Sequence, residues 1–172
     1  MSLLPIRIYP DPVLRVQCRD VESFDDALAR LVGDMVETMH AAPGIGLAAN
    51  QVGVESRVAV IDLSVGEREE DLLVLVNPEL LTEAGEEEDV EGCLSLPDFT
   101  EKVTRPLAIK VRAKDLEGKR FEVEAEGLLA RAICHEMDHL AGKLFTDRLR
   151  GLRRERARRM LKRLEREQGS GT

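Results

Sequence analysis

Cys134-His135-Glu136-Met137-Asp138-His139 carries the pattern H-E-x-x-H and decides how the rest of this chain is read. Four residues is just over one helical turn, so on a helix both imidazoles face one way and can reach the same ion. A glutamate beside the first histidine is then placed to handle the proton of a water at that ion. The pattern points to metal-assisted hydrolysis and requires a third ligand from elsewhere in the chain.

The residues around it supply the helix. Leu128, Leu129, Ala132, Ile133, Met137 and Leu140 predict a largely apolar helix over about 125–141, with Gly142 as its C-cap. Upstream, strand-like runs cover 57–63, 72–76, 103–113 and 120–125, and Asp115-Leu116-Glu117-Gly118 reads as a hairpin turn between the last two. The acidic stretch 83–91 is expected to be a solvated loop or edge, and Gly44-Ile45-Gly46-Leu47-Ala48-Ala49-Asn50-Gln51 a loop of small residues. Further upstream, Leu28, Leu31, Val32, Met35, Val36 and Met39 recur at helical spacing. They predict a helix over 24–40, N-capped by Ser23 with Asp26 three residues on, and stopped by Pro43 and Gly44. Pro10 and Pro12 make the segment from Tyr9 to Cys18 extended or turning. A charged helix over 148–166 closes the chain. Helices bracket a block of strands that hairpins can join. The expected fold class is therefore α+β: antiparallel sheets, an N-terminal helix, a central metal-binding helix and a charged C-terminal helix.

Length and composition agree with one domain over residues 1–172: hydrophobic residues make up 43% and charged residues 34%. Aromatics are only 3%, with no Trp, so aliphatic residues fill the core. A stacking surface for single-stranded nucleic acid is not expected, and no DNA partner is inferred. No apolar run approaches the roughly 20 residues of a membrane span, and Met1 to Pro10 lacks the apolar core of a signal peptide. Three cysteines, Cys18, Cys93 and Cys134, form an odd set without disulfide spacing, which argues for a reducing, cytoplasmic setting. The net charge of −8 is uneven: residues 147–172 carry ten Lys/Arg against four Asp/Glu and so stand at +6, with −14 on the preceding residues. Such a tail either meets an anionic partner or packs as a solvated helix on the acidic body, and both readings stay open.

The third ligand decides the enzyme class. The metzincin extension H-E-x-x-H-x-x-G-x-x-H is followed as far as Gly142, then Phe145 occupies the position of the third histidine. A thermolysin-like site needs a downstream glutamate, but Glu155 and Glu165 lie in the Arg-rich tail helix. The remaining histidine, His40, falls at the end of the first helix, where a cation meets the carbonyl ends favourably, and reads as structural. Among the cysteines, Cys134 adjoins His135 but points about 100° away around the helix. Cys93 follows Gly92, which lets a backbone approach closely. Cys93 is taken as ligand, and Cys18 and Cys134 as small buried hydrophobes.

At these segments the chain resembles the bacterial-type peptide deformylase family. Gly44 to Gln51 matches G-x-G-x-A-A-x-Q, Glu91 to Ser95 matches E-G-C-L-S, and His135 to His139 matches H-E-x-D-H with Asp138 in place. The opening Tyr9-Pro10-Asp11-Pro12-Val13-Leu14-Arg15 is similar to the family's N-terminal segment, so the resemblance spans essentially the whole chain.

The resemblance implies that Cys93, His135 and His139 hold one divalent ion with water as fourth ligand, Fe²⁺ being expected and Zn²⁺ or Ni²⁺ able to substitute. It implies a hydrolase that removes the formyl group from formyl-methionine at the start of nascent polypeptides, releasing formate. Glu136 accepts the proton of the attacking water and delivers it to the departing amine. The Gln51 amide and the Leu94 backbone N–H donate to the oxyanion. Ile45, Leu128, Ala132 and the ring of His135 match the methionine pocket. Arg131 stands where some members carry an aliphatic residue, and is expected to cap the pocket mouth with its stem while its charge stays wet. Gly46 and Gly92 are expected to let the substrate backbone lie alongside as an added strand. Glu91 is expected to pair with Arg105 and support the cysteine loop. Charge and family context make the ribosome surface a candidate partner for the basic tail. The rivals are a zinc peptidase that cuts internal peptide bonds, and a metal-stabilised binding module, which a fourth protein ligand would close.

Overall fold

The computed structural model describes residues 2–169. Met1 and residues 170–172 of the tail lie outside the described residues. In it, the first helix, α1, spans Asp26–Ala41. Its N-cap is Asp25, not Ser23: the chain stays extended through Asp25, whose carboxylate accepts from the Leu28 N–H at 3.1 Å. Leu28, Val32, Met35 and Met39 form its buried face.

The small-residue loop is more ordered than expected. Gly46–Ala48 form strand β1, and a 3₁₀ turn follows over Ala49–Val52. Leu47 and Ala48 are fully buried, one in each of two core clusters, so both faces of this short strand are covered. Strand β2 is Val58–Ile61. Strand β3 is Leu73–Ala84 and runs well past the predicted end at 76. At Asn77-Pro78 the register shifts between Val76 and Glu79 without ending the strand.

The acidic stretch is also a strand. Glu87–Cys93 form β4, paired antiparallel with β5, Leu96–Arg105. The predicted single strand 103–113 is divided at Pro106. β5 stops at Arg105, and β6, Ala108–Lys114, begins in the other sheet. Proline cannot donate to a ladder, so the chain changes partners there. The hairpin at Asp115 joins β6 to β7, Arg120–Glu126.

Two sheets result. The larger has the order β1-β2-β3-β6-β7, all neighbours antiparallel, and β4-β5 stands apart. Alternation of side chains along the strands divides the core. Leu47, Val58, Val60 and Val76 pack against α1, while Ala48, Ala59, Ile61 and Leu75 pack with Ala130, Ile133 and Leu140 of α2, Gly127–Leu140. Gly142, at φ 77, closes α2 by donating its N–H to the His139 carbonyl at 2.9 Å. The last helix, α3, Gly151–Gly169, buries Ala157, Met160 and Leu164 against Leu96 and Val103 of β5. Arg153 pairs with Glu88, and Arg156 with Glu101 at 2.8 Å. The architecture is α+β. No helix of the described residues is long and apolar enough to cross a membrane.

Candidate metal centre

One face of α2 presents His135 and His139 with their Nε2 atoms 3.2 Å apart. β4 ends at Cys93, whose Sγ lies 3.3 Å from His139 Nε2. The three donor atoms lie within 4.8 Å of one another, so one ion can touch all three. The surroundings fit such an ion. Glu91 Oε1 stands 2.8 Å from His135 Nδ1, which leaves Nε2 as the free donor. Glu136 beside them is buried, and its Oε1 has no hydrogen-bond partner among the described residues. A thiolate and two imidazoles form a donor set for Fe²⁺, Zn²⁺ or Ni²⁺.

Glu91 anchors a buried charge network. Arg105 forks onto it, Nε to Oε2 at 2.7 Å and Nη2 to Oε1 at 2.8 Å, as the sequence leads one to expect. The same guanidinium reaches Asp138 Oδ2 at 2.6 Å, and Arg148 pairs with both Asp138 oxygens at 2.7 Å. Asp138 thus ties α2 to β5 and to the segment before α3. Sequence reasoning matched Asp138 to a motif without giving it this job. Its signal was a carboxylate on an otherwise buried helix, which requires a cation nearby. Asn50 was also missed: fully buried, it donates Nδ2 to the His139 carbonyl at 2.6 Å.

Arg131 does not behave as expected. Its side chain is only 5% exposed, and Nη1 donates to Glu91 Oε2 at 2.7 Å. Its charge is buried rather than wet, because the Glu91 carboxylate and main-chain carbonyls of β4 and β5 offer better partners than solvent at the cleft mouth.

Burial opposes ionisation of Glu91, yet hydrogen bonds from Arg105 and His135 hold its carboxyl well below the usual range. Burial lifts the Glu136 carboxyl to about 7, against the pull of His135. Burial and the neighbouring His135 keep His139 neutral, the form that binds metal. His135 is pushed up despite its burial, by Glu136 and by its bonds to Cys93 and Glu91. Burial raises Cys18 and Cys134 to about 11, so both are inert thiols; Cys18 is buried, and Cys134 half-buried against the core.

Gln51 is buried, and its Oε1 accepts from the Ala48 N–H at 3.0 Å. That bond fixes the orientation of the amide, so Nε2 faces Ser95 Oγ at 3.2 Å and Cys93 Sγ at 3.6 Å. A cleft of about 430 Å³ opens over these groups. Ile45, Gly46, Gly92, Leu128, Arg131 and Ala132 line it together with Gln51, Cys93, Leu94, His135 and Glu136. Leu128, 53% exposed, stands at its rim. The glycines also have reasons within the protein: a Cβ on Gly46 would meet Glu136 Oε2 at 2.6 Å, and one on Gly92 would meet Thr100 Cγ2 at 3.2 Å. Phe99, unremarked in the sequence, joins the wall and stacks on Phe145 at 6.0 Å. Phe145, which breaks the metzincin pattern, lies 6.0 Å from the His135 ring in a stacked arrangement. His40 takes no part and pairs with Asp62 Oδ2 at 2.7 Å.

Among the described residues the group that could hold a metal has three protein donors, Cys93, His135 and His139. Three donors leave an ion a position for water, and a glutamate beside that position places the protein among metal-dependent hydrolases. The profile of the polypeptide deformylase family matches residues 3–155. The peptide deformylase of Azotobacter vinelandii is 50% identical over 98% of this chain and 100% of its own length. That of Alkalilimnicola ehrlichii is 52% identical over 97% of this chain and 93% of its own. The crystal structure of a peptide deformylase from Legionella pneumophila superposes with a TM-score of 0.87 at 45% identity, covering 97% of this chain and 98% of that one. The chain belongs to the polypeptide deformylase family: it is a metal-dependent hydrolase of N-terminal formyl groups on nascent polypeptides.

Proposed function

We propose that Cys93, His135 and His139 hold one divalent ion, expected to be Fe²⁺ with Zn²⁺ or Ni²⁺ able to substitute, and that the cleft above them receives the formyl-methionine end of a nascent chain. The convergence of the three donor atoms within 4.8 Å, beside an unpartnered Glu136 oxygen, carries this reading. When bound, the ion supplies Lewis acidity and acidifies a water. Glu136 takes the proton of the attacking water and returns it to the amine that leaves with the polypeptide. Burial suits the task, because it raises the affinity of the carboxylate for that proton. The Gln51 amide and the Leu94 backbone N–H donate to the negative charge that develops on the formyl oxygen.

Ile45, Leu128, Ala132 and the His135 ring form the apolar wall for the methionine side chain, and the Arg131 stem completes it. The peptide lies as an added strand along Gly46 and Gly92. Two facts support this: β1, which begins at Gly46, is an outer strand of the larger sheet, and β4, which carries Gly92, pairs among the described residues only with β5. Glu91, held by Arg105, orients His135.

We read residues 1–172 as one cytoplasmic catalytic domain, with 147–172 as its basic C-terminal extension, and infer that this extension docks on the ribosome surface. Two of its arginines are committed to Glu88 and Glu101, yet Arg150, Arg154, Arg159, Lys162 and Arg166 have no ion-pair partner among the described residues. Co-sedimentation with ribosomes that survives deletion of residues 150–172 would count against docking.

Formate release from a formyl-Met peptide, paired with metal analysis of anaerobically purified protein, tests the central reading. One ion per chain and formate release are expected, with both lost in Cys93→Ala. An ion retained in Cys93→Ala, or no formate from the loaded wild type, overturns it.

A further inference from the structure

The ligands come from two layers that share no backbone ladder. Among the described residues β4 and β5 pair only with each other, and the helix carrying the histidines packs on the larger sheet. Cys93 therefore reaches His135 and His139 only if the hairpin is held at the right distance from α2. Arg131 lies one helical turn before His135 and spans this gap. Its Nη2 donates to the Glu87 carbonyl of β4 at 2.7 Å, and its Nη1 to the Val103 carbonyl of β5 at 2.9 Å and to Glu91 Oε2 at 2.7 Å. The guanidinium is bound to both strands at once, next to the register pair Asp89 and Val103.

Arg105 already forks both oxygens of Glu91, so neutralising that carboxylate does not require a second arginine. The distinct contribution of Arg131 is its grip on main-chain carbonyls. Burying a guanidinium is costly without such acceptors, and a planar fork can meet several of them at fixed angles, as an ammonium cannot.

We infer that Arg131 is a positioning residue of the metal centre: its buried guanidinium sets the distance between the strand bearing Cys93 and the helix bearing His135 and His139, through the carbonyls of Glu87 and Val103 and through Glu91. The inference rests on Cys93, His135 and His139 being the ligands. A site whose donors are not pre-placed loses affinity before it loses its fold, because the ion must then draw the hairpin in against its own drift.

The test uses full-length protein loaded anaerobically with Co²⁺. Sulfur-to-cobalt charge-transfer absorption reports the Cys93 thiolate, and competition with a chromophoric chelator yields the dissociation constant. Arg131→Met keeps the apolar stem beside the cleft and removes the fork. Its Co²⁺ affinity should fall about 10- to 100-fold, the range typical for groups that orient metal ligands, with a weakened or shifted charge-transfer band. Arg131→Lys, which keeps a charge beside Glu91, should recover only part of the affinity, and decides the matter if Arg131→Met does not fold. Thermal melts of the metal-free proteins run alongside. Wild-type affinity and an unchanged band in the variants, even with a lowered Tm, would reduce Arg131 to a brace of the fold and overturn the inference. A wild type that binds Co²⁺ without the band would overturn the ligand assignment instead.

Discussion

Gly46 and Glu136 lie so close that a Cβ on the glycine would stand 2.6 Å from the carboxylate Oε2. The Glu136 side chain is buried, so it cannot swing into solvent to make room. Gly46→Ala should therefore displace the proposed proton carrier while leaving the three proposed metal ligands in place. The expected result is a fall in kcat of about 10²-fold, the low end of what general acid–base catalysis provides, with metal content still one ion per chain. Stopped formate assays beside metal analysis check both halves. An unchanged kcat would separate Glu136 from the rate-determining proton transfer.

Gln51 offers a sharper test of oxyanion stabilisation. Its Oε1 is fixed by the Ala48 N–H at 3.0 Å, and its Nε2 is turned toward Cys93. Gln51→Glu keeps an acceptor for Ala48 but puts a second acceptor where the donor stood. Both Gln51→Glu and Gln51→Leu should lower kcat by about 10²- to 10³-fold, with KM for a formyl-Met peptide changed far less. Recovery of activity in Gln51→Glu would point to a positioning role through Ala48.

Asp62 governs part of the acid stability. Burial acts to raise its carboxyl, but hydrogen bonds from Ser64, His40 and Gly66 prevail and hold it at about 2, below its ordinary 3.8. A carboxyl depressed in the folded state stabilises above its unfolded value and loses that contribution as pH falls toward the folded value. The contribution is about 2 kcal/mol at neutral pH and fades between about pH 4 and 2. Asp62→Asn should lower stability near pH 7 by about this amount and flatten the acid limb in that window. Denaturant melts across pH measure it; parallel acid limbs for the two proteins would refute it.

Gly142 joins the end of the metal-binding helix to the N-terminal segment. It adopts φ 77, and a Cβ there would lie 2.5 Å from the Arg15 carbonyl oxygen. Gly142→Ala should cost about 1–3 kcal/mol, seen as a fall of several degrees in Tm. Retention of the wild-type Tm would mean that Arg15 and its neighbours yield without cost.

The legible parts of this protein were the local ones. Helical spacing identified α1 and α2, and Asp115 to Gly118 marked the β6–β7 turn. The errors lie where distant partners overrule local signals. Of the two readings of the acidic stretch 83–91, solvated loop or edge, the structure has the second from Glu87 on: Glu87 to Glu91 belong to β4, because Glu101 to Arg105 pair with them and Arg105, Arg131 and Arg153 meet their charges. The run 103–113 read as one strand, yet Pro106 hands the chain from one sheet to the other. The strand-like run read as ending at 76, yet β3 continues to Ala84 against β6.

The same division runs through the site. The spacing of His135 and His139 by itself placed two candidate ligands on one helical face, with Glu136 next to the first in sequence, because a helix imposes its period on neighbours in sequence. Whether Cys93 meets them, and whether the Arg131 charge lies in water or beside Glu91, was left to the tertiary structure. Those outcomes depend on how a separate two-stranded sheet packs against α2, and no local period carries that information.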